Sequence, residues 1–476
     1  MKNLFFVLII TLFFAGCSMG PDYTRPPLEV PEIKLSQADL SIPDSVAQEL
    51  IDSNWWEFFG DTVLTALIDS AVANNYDIKI ATARIEQFMG SYSVTQSDYY
   101  PKINAGALGQ TGESNSKGVK YRDNRFNVNL SATWEIDLWG KVRRANEAAL
   151  ADVLGAEESK RGVVLTIVSQ VAQTYIDILS LDYQIIIAEQ TVDVRQKSLD
   201  LFNQRKAKGD ISDLEISQLE SEYWFAKAQI PLLERNRSQL ETALSILLGK
   251  GPISIPRGRN LDELILPEIP AVIPSQLLER RPDIRTAEEQ LIAANARIGI
   301  VKSLYFPSIS LTGLLGFSNT DFSNLFKSSS FVWNAGGNLV APLFRAGEIS
   351  GQVDEAEAIQ RQLLFNYLQV VNAAFGDAQN SLIARNQNEV KFTADGKRLD
   401  AVSQYRLLSQ MRYDEGVTSY LEVLDAERSL FSSQLDYVKS KADLLKSSVS
   451  IYSALAGGWL DAKIDQSNQT GNDEEN

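Results

Sequence analysis

Apolar and polar residues alternate without a break from Phe126 to Leu138. Because successive side chains of a β-strand point to opposite faces, this period of two predicts a strand with one apolar and one polar face. At about 3.3 Å per residue and a tilt of roughly 45°, the strand would span about 30 Å. That length matches the hydrocarbon core of a bilayer, which is also about 30 Å thick.

The period changes at Gly140, and the next segment predicts a very long helix. Residues 141–205 contain no proline, and at 1.5 Å per residue a continuous helix there would be roughly 95 Å long. Gly209 predicts the turn that ends it, and a returning helix is predicted from about Ser212 to Leu248, interrupted or bent near Pro231. Apolar residues recur along the long helix at spacings of four and three, as in a coiled-coil seam: Val164, Val168, Val171, Tyr175 and Ile178.

A second copy of this plan follows further along the chain. Asp77 is matched by Asp283 (283 − 77 = 206), and Gly140 is matched by Gly347 (347 − 140 = 207). Four landmarks that keep one offset within a residue indicate a tandem duplication. The other two matched landmarks are Pro101 with Pro307 and Gly209 with Gly416.

Each repeat is predicted to contain a helix, two strands, a long helix and a returning helix. The first repeat is 61–250 and the second is 275–460, and a proline- and glycine-rich linker, 251–274, separates them. In the first repeat a helix is predicted over Asp61–Ser97 and an exposed polar loop over Thr111–Asn124. The four predicted strands are Ile103–Gln110, Phe126–Leu138, Ile309–Phe317 and Phe331–Leu343.

The N-terminus has the pattern of a bacterial lipoprotein signal. The apolar run Leu4–Phe14 is too short to cross a bilayer, and small residues precede Cys17. We predict a signal peptide over 1–16 and lipidation of Cys17, with loss of the cysteine together with the signal as the alternative. Residues 17–60 are predicted to form an extended arm that ends in an aromatic packing anchor. The acidic residues 461–476 are predicted to be a disordered tail.

Composition excludes several classes of protein. The net charge is −16 with no histidine, which argues against binding a phosphate backbone and removes a common metal ligand and general base. Cys17 is the only cysteine, so no disulfide can form within one chain. The sequence has no phosphate-binding loop and no nucleophile motif. We therefore predict that the protein is not an enzyme and has neither a cofactor nor a metal site.

The strands of one chain are too few to cross a membrane alone. Backbone groups inside lipid must all be hydrogen-bonded, which an open four-stranded sheet cannot achieve. Since eight strands are the usual minimum for a barrel, at least two copies are needed, and three copies give twelve strands. The alternative is a soluble protein whose alternating faces pack on a core of their own, such as a periplasmic enzyme or solute-binding lipoprotein.

Several short segments carry a family resemblance. Cys17–Pro26, Trp55–Asp61 and Leu277–Arg285 resemble the TolC-like outer-membrane factors, and most of all the NodT/OprM-type outer-membrane lipoproteins of RND tripartite efflux systems. The run of Arg281, Pro282, Asp283 and Ile284 is the most specific of these motifs, although we interpret its charges as structural and not as an anion site. The resemblance extends from Cys17 to about Trp459.

The resemblance implies an α+β membrane protein that is a homotrimer. Its twelve-stranded outer-membrane β-barrel would be continuous with a long α-helical periplasmic barrel. The implied function is a passive exit duct for small molecules, and the implied partners are a periplasmic adaptor, an inner-membrane RND pump and outer-membrane lipid, with no nucleic acid. Alternatives are the outer-membrane channel of a type I protein secretion system or, in a different class, a periplasmic coiled-coil structural lipoprotein.

The same resemblance assigns roles to the two turns that join long and returning helices. It implies that they dock the adaptor and surround a periplasmic aperture. Three-residue spacing puts Glu422 and Asp425 on one helix face, and threefold symmetry would gather such carboxylates into rings that favour cations. The alternative is local pairing of these charges with Arg428 or Lys227. The predicted docking residues are Gly209, Ser212, Gly416 and Ser419, and the predicted aperture residues are Tyr413, Glu422, Asp425 and Glu215.

Overall fold

The structure is a computed structural model that describes residues 18–27, 54–116, 118–122, 124–209, 211–267 and 280–455. Cys17, the signal peptide, most of the arm, part of the linker and the acidic tail lie outside the described residues. The chain divides into two compact units. The first unit is Met1–Leu28, Ala83–Glu158 and Arg285–Val370, and the second is Glu29–Thr82, Ser159–Ile284 and Val371–Asn476.

Helices predominate, and a small number of strands accompany them in the described ranges. The α-helices are α1 (Thr62–Asn74), α2 (Tyr76–Gln96), α3 (Lys141–Ala207), α4 (Asp213–Leu247), α5 (Pro282–Ser303), α6 (Glu348–Asp414) and α7 (Tyr420–Ala454). The strands are β1 (Lys102–Gln110), β2 (Glu113–Ser116), β3 (Val119–Arg122), β4 (Arg125–Ile136), β5 (Ser308–Asn319) and β6 (Phe331–Val340). Helices α3 and α6 each contain 67 residues, and α4 and α7 each contain 35.

The first unit contains an antiparallel sheet in the order β1-β4-β5-β6. Its register places the predicted apolar positions of all four strands on one face. In one row, Leu130 lies between Ala105 and Leu315, and Leu315 also pairs with Trp333. Described residues leave this face uncovered, since Ile103 is 70% exposed and Trp333 is 71% exposed. The described residues therefore do not form the alternative structure, in which these faces pack on a core of their own.

The described part of the arm, residues 18–27, lies against α3 and α5 within the same unit. The backbone N–H of Met19 donates to the carbonyl of Trp139 at 3.0 Å, and Arg144 donates to the Asp22 carboxylate at 2.7 Å. Further along, Arg25 Nε donates to Glu288 at 2.7 Å. At Gly299, the backbones meet so closely that a Cβ would lie 2.5 Å from the carbonyl oxygen of Met19.

The Arg25–Glu288 pair predicts a pH dependence of stability. Burial raises the pKa of Glu288, but the hydrogen bond and charge of Arg25 outweigh it, so that pKa lies below its ordinary value of 4.5. Such a carboxyl stabilises the folded state above its unfolded pKa, and the contribution is lost as the pH falls through the folded value. Because Arg25 is half exposed, we expect Glu288→Gln to lower the free energy of unfolding by only about 1 kcal/mol at neutral pH. Thermal unfolding should show this difference disappearing at acid pH.

The neighbouring carboxyl provides a matched control of opposite sign. Burial and the charges of Glu288 and Glu158 raise the pKa of Glu289. Its ionised form therefore opposes folding, and that penalty appears as the pH rises through the folded value. Glu289→Gln should leave stability unchanged or increase it at neutral pH. Equal losses in the two variants would contradict the role given to the Arg25 pair.

The second unit has an apolar core built around the aromatic anchor and the heptad face of α3. Trp55 is fully buried and stacks on Tyr452 with ring centroids 5.5 Å apart, which confirms the predicted packing role of this segment. Residues from α3, α4 and α7 contribute Val171, Leu244 and Val449, each without solvent exposure. Arg281 of the specific family run donates to the carbonyl of Ala454 at 2.9 Å, which confirms the structural interpretation of its charge.

A buried carboxylate connects three segments of this core. Asp61 precedes α1 and accepts hydrogen bonds from the backbone N–H groups of Val63 at 2.8 Å and Leu64 at 3.2 Å. Its second oxygen accepts from the hydroxyl of Tyr175 at 2.9 Å and from the backbone N–H of Arg259 at 3.0 Å. The side chain thus caps a helix and also fixes the loop near residue 259 to α3.

Several predicted boundaries were wrong. The helix predicted over Asp61–Ser97 is two helices, because the side chain of Asn75 caps α2 by accepting from the N–H of Asp77 at 2.8 Å. The strand predicted to reach Leu138 ends at Ile136. Asp137 instead accepts a hydrogen bond at 3.0 Å from the N–H of Arg143, which lies in the first turn of α3. The returning helix is not interrupted at Pro231, since α4 continues through that residue, and the alternative of a bend there stays a prediction.

Two other predicted segments also differ from the structure. The polar loop predicted over Thr111–Asn124 contains a small hairpin, in which Glu113–Ser116 pairs with Val119–Arg122. The final strand predicted to reach Leu343 ends at Val340, near Pro342, which lacks the N–H needed to continue a ladder. Among the described helices, only α3 contains a window long and apolar enough to cross a membrane, and 56% of that window is buried within the chain. That burial is expected of a core helix.

Candidate functional site

The first predicted tip is a tight turn between α3 and α4. The N–H of Gly209 donates to the carbonyl of Lys206 at 2.9 Å, and Gly209 has φ of +88°, a conformation that glycine adopts without strain. Ser212 then caps α4 in a reciprocal capping box with Glu215. The backbone N–H of Ser212 donates to the Glu215 carboxylate at 2.9 Å. Two of the predicted site residues therefore also fix the start of this helix.

The second predicted tip is a turn of the same kind between α6 and α7. The N–H of Gly416 donates to the carbonyl of Tyr413 at 2.9 Å, and that of Val417 donates to the carbonyl of Arg412 at 2.9 Å. Gly416 has φ of +72°. Ser419 occupies the cap position of α7, but its side chain makes no capping hydrogen bond. The two tips thus share their glycine geometry and differ in how the next helix begins.

An aromatic cluster, Phe202, Tyr413 and Tyr420, joins the two helical hairpins near these tips. The ring centroids of Phe202 and Tyr420 are 4.3 Å apart, and those of Tyr413 and Tyr420 are 5.0 Å apart. Burial raises the pKa of Tyr420 well above its ordinary value. The structure therefore places Tyr413 against its own chain. The apolar residues packed around these rings are Leu199, Ile211, Ile216, Leu219, Val423 and Leu424.

The predicted aperture carboxylates on α7 each have a partner within the chain. Glu422 accepts from Arg412 at 3.0 Å and from the Thr418 hydroxyl at 2.5 Å. Asp425 accepts from the hydroxyl of Tyr405 at 3.2 Å. These partners are not Arg428 or Lys227, which the alternative interpretation had named. Their role in a ring formed by several copies stays a prediction.

Sequence reasoning missed a partly buried group of charges just behind the tips. We name it the charge cluster: Arg195 of α3, Glu222 of α4, Arg406 of α6, and Glu427 and Arg428 of α7. The side chains of Arg195 and Glu222 are 1% and 8% exposed. Arg195 lies one heptad from both Ala188 and Phe202, which are buried. That spacing is the sequence signal that could have revealed an inward-facing arginine.

Comparison with known proteins identifies the class to which this arrangement belongs. The sequence model of a family described as outer membrane efflux protein matches residues 67–250 and 273–457. The chain therefore belongs to the outer membrane efflux protein family. This is a family of transport channels and not a class of enzymes. In the described ranges, no group of three or more acidic, cysteine or histidine side chains is arranged to hold a metal ion.

Individual relatives match over almost their whole length. The chain is 33% identical to cation efflux system protein CusC of Escherichia coli O6:H1, over 94% of this chain and 97% of the relative. It is 34% identical to toluene efflux pump outer membrane protein TtgI of Pseudomonas putida, with the same two coverages. It is 33% identical to the probable outer membrane lipoprotein SilC of Salmonella typhimurium, over 95% of this chain and 98% of the relative.

A solved structure of CusC has the same fold. It superimposes with a TM-score of 0.85 at 32% sequence identity, covering 93% of this chain and 100% of the CusC chain. The described tips and the sheet of this chain therefore belong to a fold that is known in an outer-membrane efflux channel.

Proposed function

We propose that this protein is the outer-membrane exit duct of an RND-type tripartite efflux system. It conducts exported small molecules passively from an inner-membrane pump and a periplasmic adaptor to the cell exterior. Membership of the outer membrane efflux protein family supports the proposal. The relatives CusC and TtgI, which are named for cation efflux and toluene efflux, also support it.

The observation that carries the proposal is the uncovered four-stranded sheet. Its edge strands β1 and β6 have no strand beyond them among the described residues, and its apolar face is exposed. An exposed apolar sheet with open edges is an aggregation hazard in water, and in lipid every edge group must be paired. Several copies joined edge to edge would close the barrel, with eight strands from two copies or twelve from three. The homotrimer is the assembly that the family resemblance implies.

The N-terminal arm is proposed to tie the duct to the membrane surface. Lipidation of Cys17 would add an acyl anchor directly before the arm residues that bind α3 and α5. The relative SilC is described as a lipoprotein, which supports this reading. The protein would then be located in the outer membrane and extend into the periplasm.

The two tips are proposed to form the periplasmic aperture and the adaptor-docking surface. Gly209, Ser212, Gly416 and Ser419 lie at or beside the turns and would contact the adaptor. Glu215, Tyr413, Glu422 and Asp425 would line the aperture, which opens when the adaptor docks. In three copies these carboxylates would form rings that favour cations over anions.

Conductance measurements on planar bilayers test this function. The purified chain should form cation-preferring pores, and Glu422→Ala combined with Asp425→Ala should lower the cation-to-anion permeability ratio by about fivefold, the equivalent of about 1 kcal/mol of lost attraction. Inhibition by multivalent cations should weaken in the same variant, because the rings that bind them are gone.

Glu415→Ala is the matched control, since it removes an exposed carboxylate from the same turn. It should leave selectivity unchanged. Identical selectivity in all three proteins would remove Glu422 and Asp425 from the aperture. A folded, water-soluble monomer without pore activity would contradict the duct itself and favour a periplasmic structural lipoprotein. Export of a protein substrate instead of small molecules would favour the channel of a type I secretion system.

A further inference from the structure

The charge cluster contains buried charges that are only partly paired. Arg428 Nε donates to Glu222 Oε1 at 3.0 Å, and its Nη2 contacts the same oxygen. Arg195 donates from Nη1 to the backbone carbonyl of Glu222, and its Nη1 lies 3.4 Å from Glu222 Oε2. Glu222 therefore joins the first helical hairpin, through Arg195, to the second, through Arg428.

Complementary polar atoms remain unpaired around this link. Within the described residues, Arg195 Nε and Nη2 have no hydrogen-bond acceptor, and neither Glu427 Oε2 nor Glu222 Oε2 has a donor. The other Glu427 oxygen is 3.8 Å from Arg406, a weak contact for a side chain that is only 10% exposed. Leaving buried charged groups unsatisfied is unfavourable. Arg195 of α3 thus has free N–H groups and Glu427 of α7 has a free oxygen, but no hydrogen bond joins them.

Burial and charge at Glu427 agree with this geometry. Burial raises the pKa of Glu427, while Arg406 and Arg195 lower it only in part. Arg195 thus acts on Glu427 electrostatically although no hydrogen bond joins them. A closer approach of the Arg195 guanidinium group would therefore stabilise the ionised Glu427 carboxylate.

The solvent exposure of the side chains in the charge cluster identifies the Arg428–Glu222 pair as the one that can break. The Arg428 side chain is 61% exposed, whereas that of Glu222 is 8% exposed. Arg428 can therefore be solvated by water when it leaves Glu222. The cost of the exchange falls on the buried Glu222 carboxylate, which keeps Arg195 Nη1 at 3.4 Å. Glu427 and Arg428 are consecutive on α7, and consecutive residues of a helix are about 100° apart around its axis. A rotation or shift of α7 that withdraws Arg428 from Glu222 can therefore bring Glu427 towards Arg195.

We propose that the charge cluster is a two-position latch between the two helical hairpins. In the position seen here, Arg428 pairs with Glu222. In the other position, Glu427 pairs with the free N–H groups of Arg195, and Arg428 is released to solvent. The aromatic cluster Phe202, Tyr413 and Tyr420 lies on the same helices closer to the tips, so it would move with α7. The coupling of this latch to the aperture rests on the proposed function, whereas its two ion-pair positions do not.

Opposite effects of two conservative variants test the latch. Arg428→Gln removes the partner of the present position, so amides of the tip segments 199–216 and 413–424 should exchange hydrogen about tenfold faster, within the usual range of coupling between sites. Glu427→Gln removes the partner of the other position, so the same amides should exchange about fivefold more slowly. The double variant should fall between them. The measurement is hydrogen exchange by mass spectrometry on the purified full-length chain.

A surface pair of the same helices supplies the matched control. Arg398 of α6 binds Asp436 of α7 at 3.0 Å, and both side chains are substantially exposed. Arg398→Gln should change neither tip segment. If Arg428→Gln and Glu427→Gln both accelerate exchange, the cluster only stabilises one arrangement and the latch is wrong.

Single-channel recordings separate this inference from the proposed function. If the unmodified chain conducts, Arg428→Gln should raise the open probability and Glu427→Gln should lower it. An unmodified chain without conductance would contradict the duct, while the hydrogen-exchange comparison would still decide on the latch. Conductance with open probabilities equal in all variants, together with unchanged exchange, would overturn the latch and leave the duct standing.

Discussion

The Gly316→Val variant is expected to lose the pairing of β4 with β5 and, with it, the folded sheet. Gly316 lies opposite Asn129, and a Cβ there would lie 2.2 Å from the carbonyl oxygen of Val128 and 2.6 Å from the Cα of Asn129. Both are backbone atoms of the adjacent strand, so no side-chain rotation relieves the overlap. Overpacking costs about 1–3 kcal/mol even where side chains can move, and we expect more than about 3 kcal/mol here.

Infrared spectroscopy measures this loss as a lower strand content. Outer-membrane fractions measure it as a lower yield of detergent-resistant oligomer. Gly313→Val is the control, because Gly313 lies on the same strand and a Cβ there would meet no atom within 4 Å. Valine favours the strand conformation, so the control should assemble normally. Normal assembly of Gly316→Val would show that the two strands do not approach each other as described.

The Asp61→Ala variant is expected to destabilise the second unit by roughly 3–5 kcal/mol. Asp61 is 2% exposed. Its loss removes the cap of α1 and leaves the buried hydroxyl of Tyr175 and the N–H of Arg259 without their acceptor. Each unsatisfied buried group costs about 1–3 kcal/mol. Chemical denaturation, monitored by the fluorescence of the buried Trp55 and Trp56, measures the effect.

Two further variants apportion this loss. Asp61→Asn keeps one acceptor for the N–H groups of α1 but cannot accept both remaining hydrogen bonds, so its loss should be intermediate. Tyr175→Phe removes the hydroxyl itself, and its effect should be strongly non-additive with Asp61→Ala because the two groups share one bond. Additive losses in the double variant would show that the Tyr175 bond contributes nothing.

The sheet and the long helices were predictable because their signals are local. The alternation from Phe126 fixes which side chains share a face, and the register of the sheet follows from burying or exposing that face as a whole. Likewise, the absence of proline and the heptad series from Val164 to Ile178 predicted α3. The turns at Gly209 and Gly416 followed from the left-handed conformation that glycine adopts at helix ends.

The remaining features depend on contacts between distant residues. Asn75 divides a helix that has neither proline nor glycine there, and its side chain donates to the carbonyl of Leu247, which is far away in sequence. The heptad position of Arg195 was visible, but its partners Glu222 and Arg428 come from other helices. At the tip, Glu422 was predicted as a site residue, while its pairing with Arg412 and Thr418 depends on how the turn folds.

The equal lengths of corresponding helices restrict how the two halves of the gene can diverge. Both long helices contain 67 residues and both returning helices contain 35. Deleting one codon from a helix turns everything beyond it by about 100° and draws it back by about 1.5 Å. A one-residue change in one long helix would therefore turn its packing face away from its neighbours, whereas a change of seven residues would keep the same face aligned.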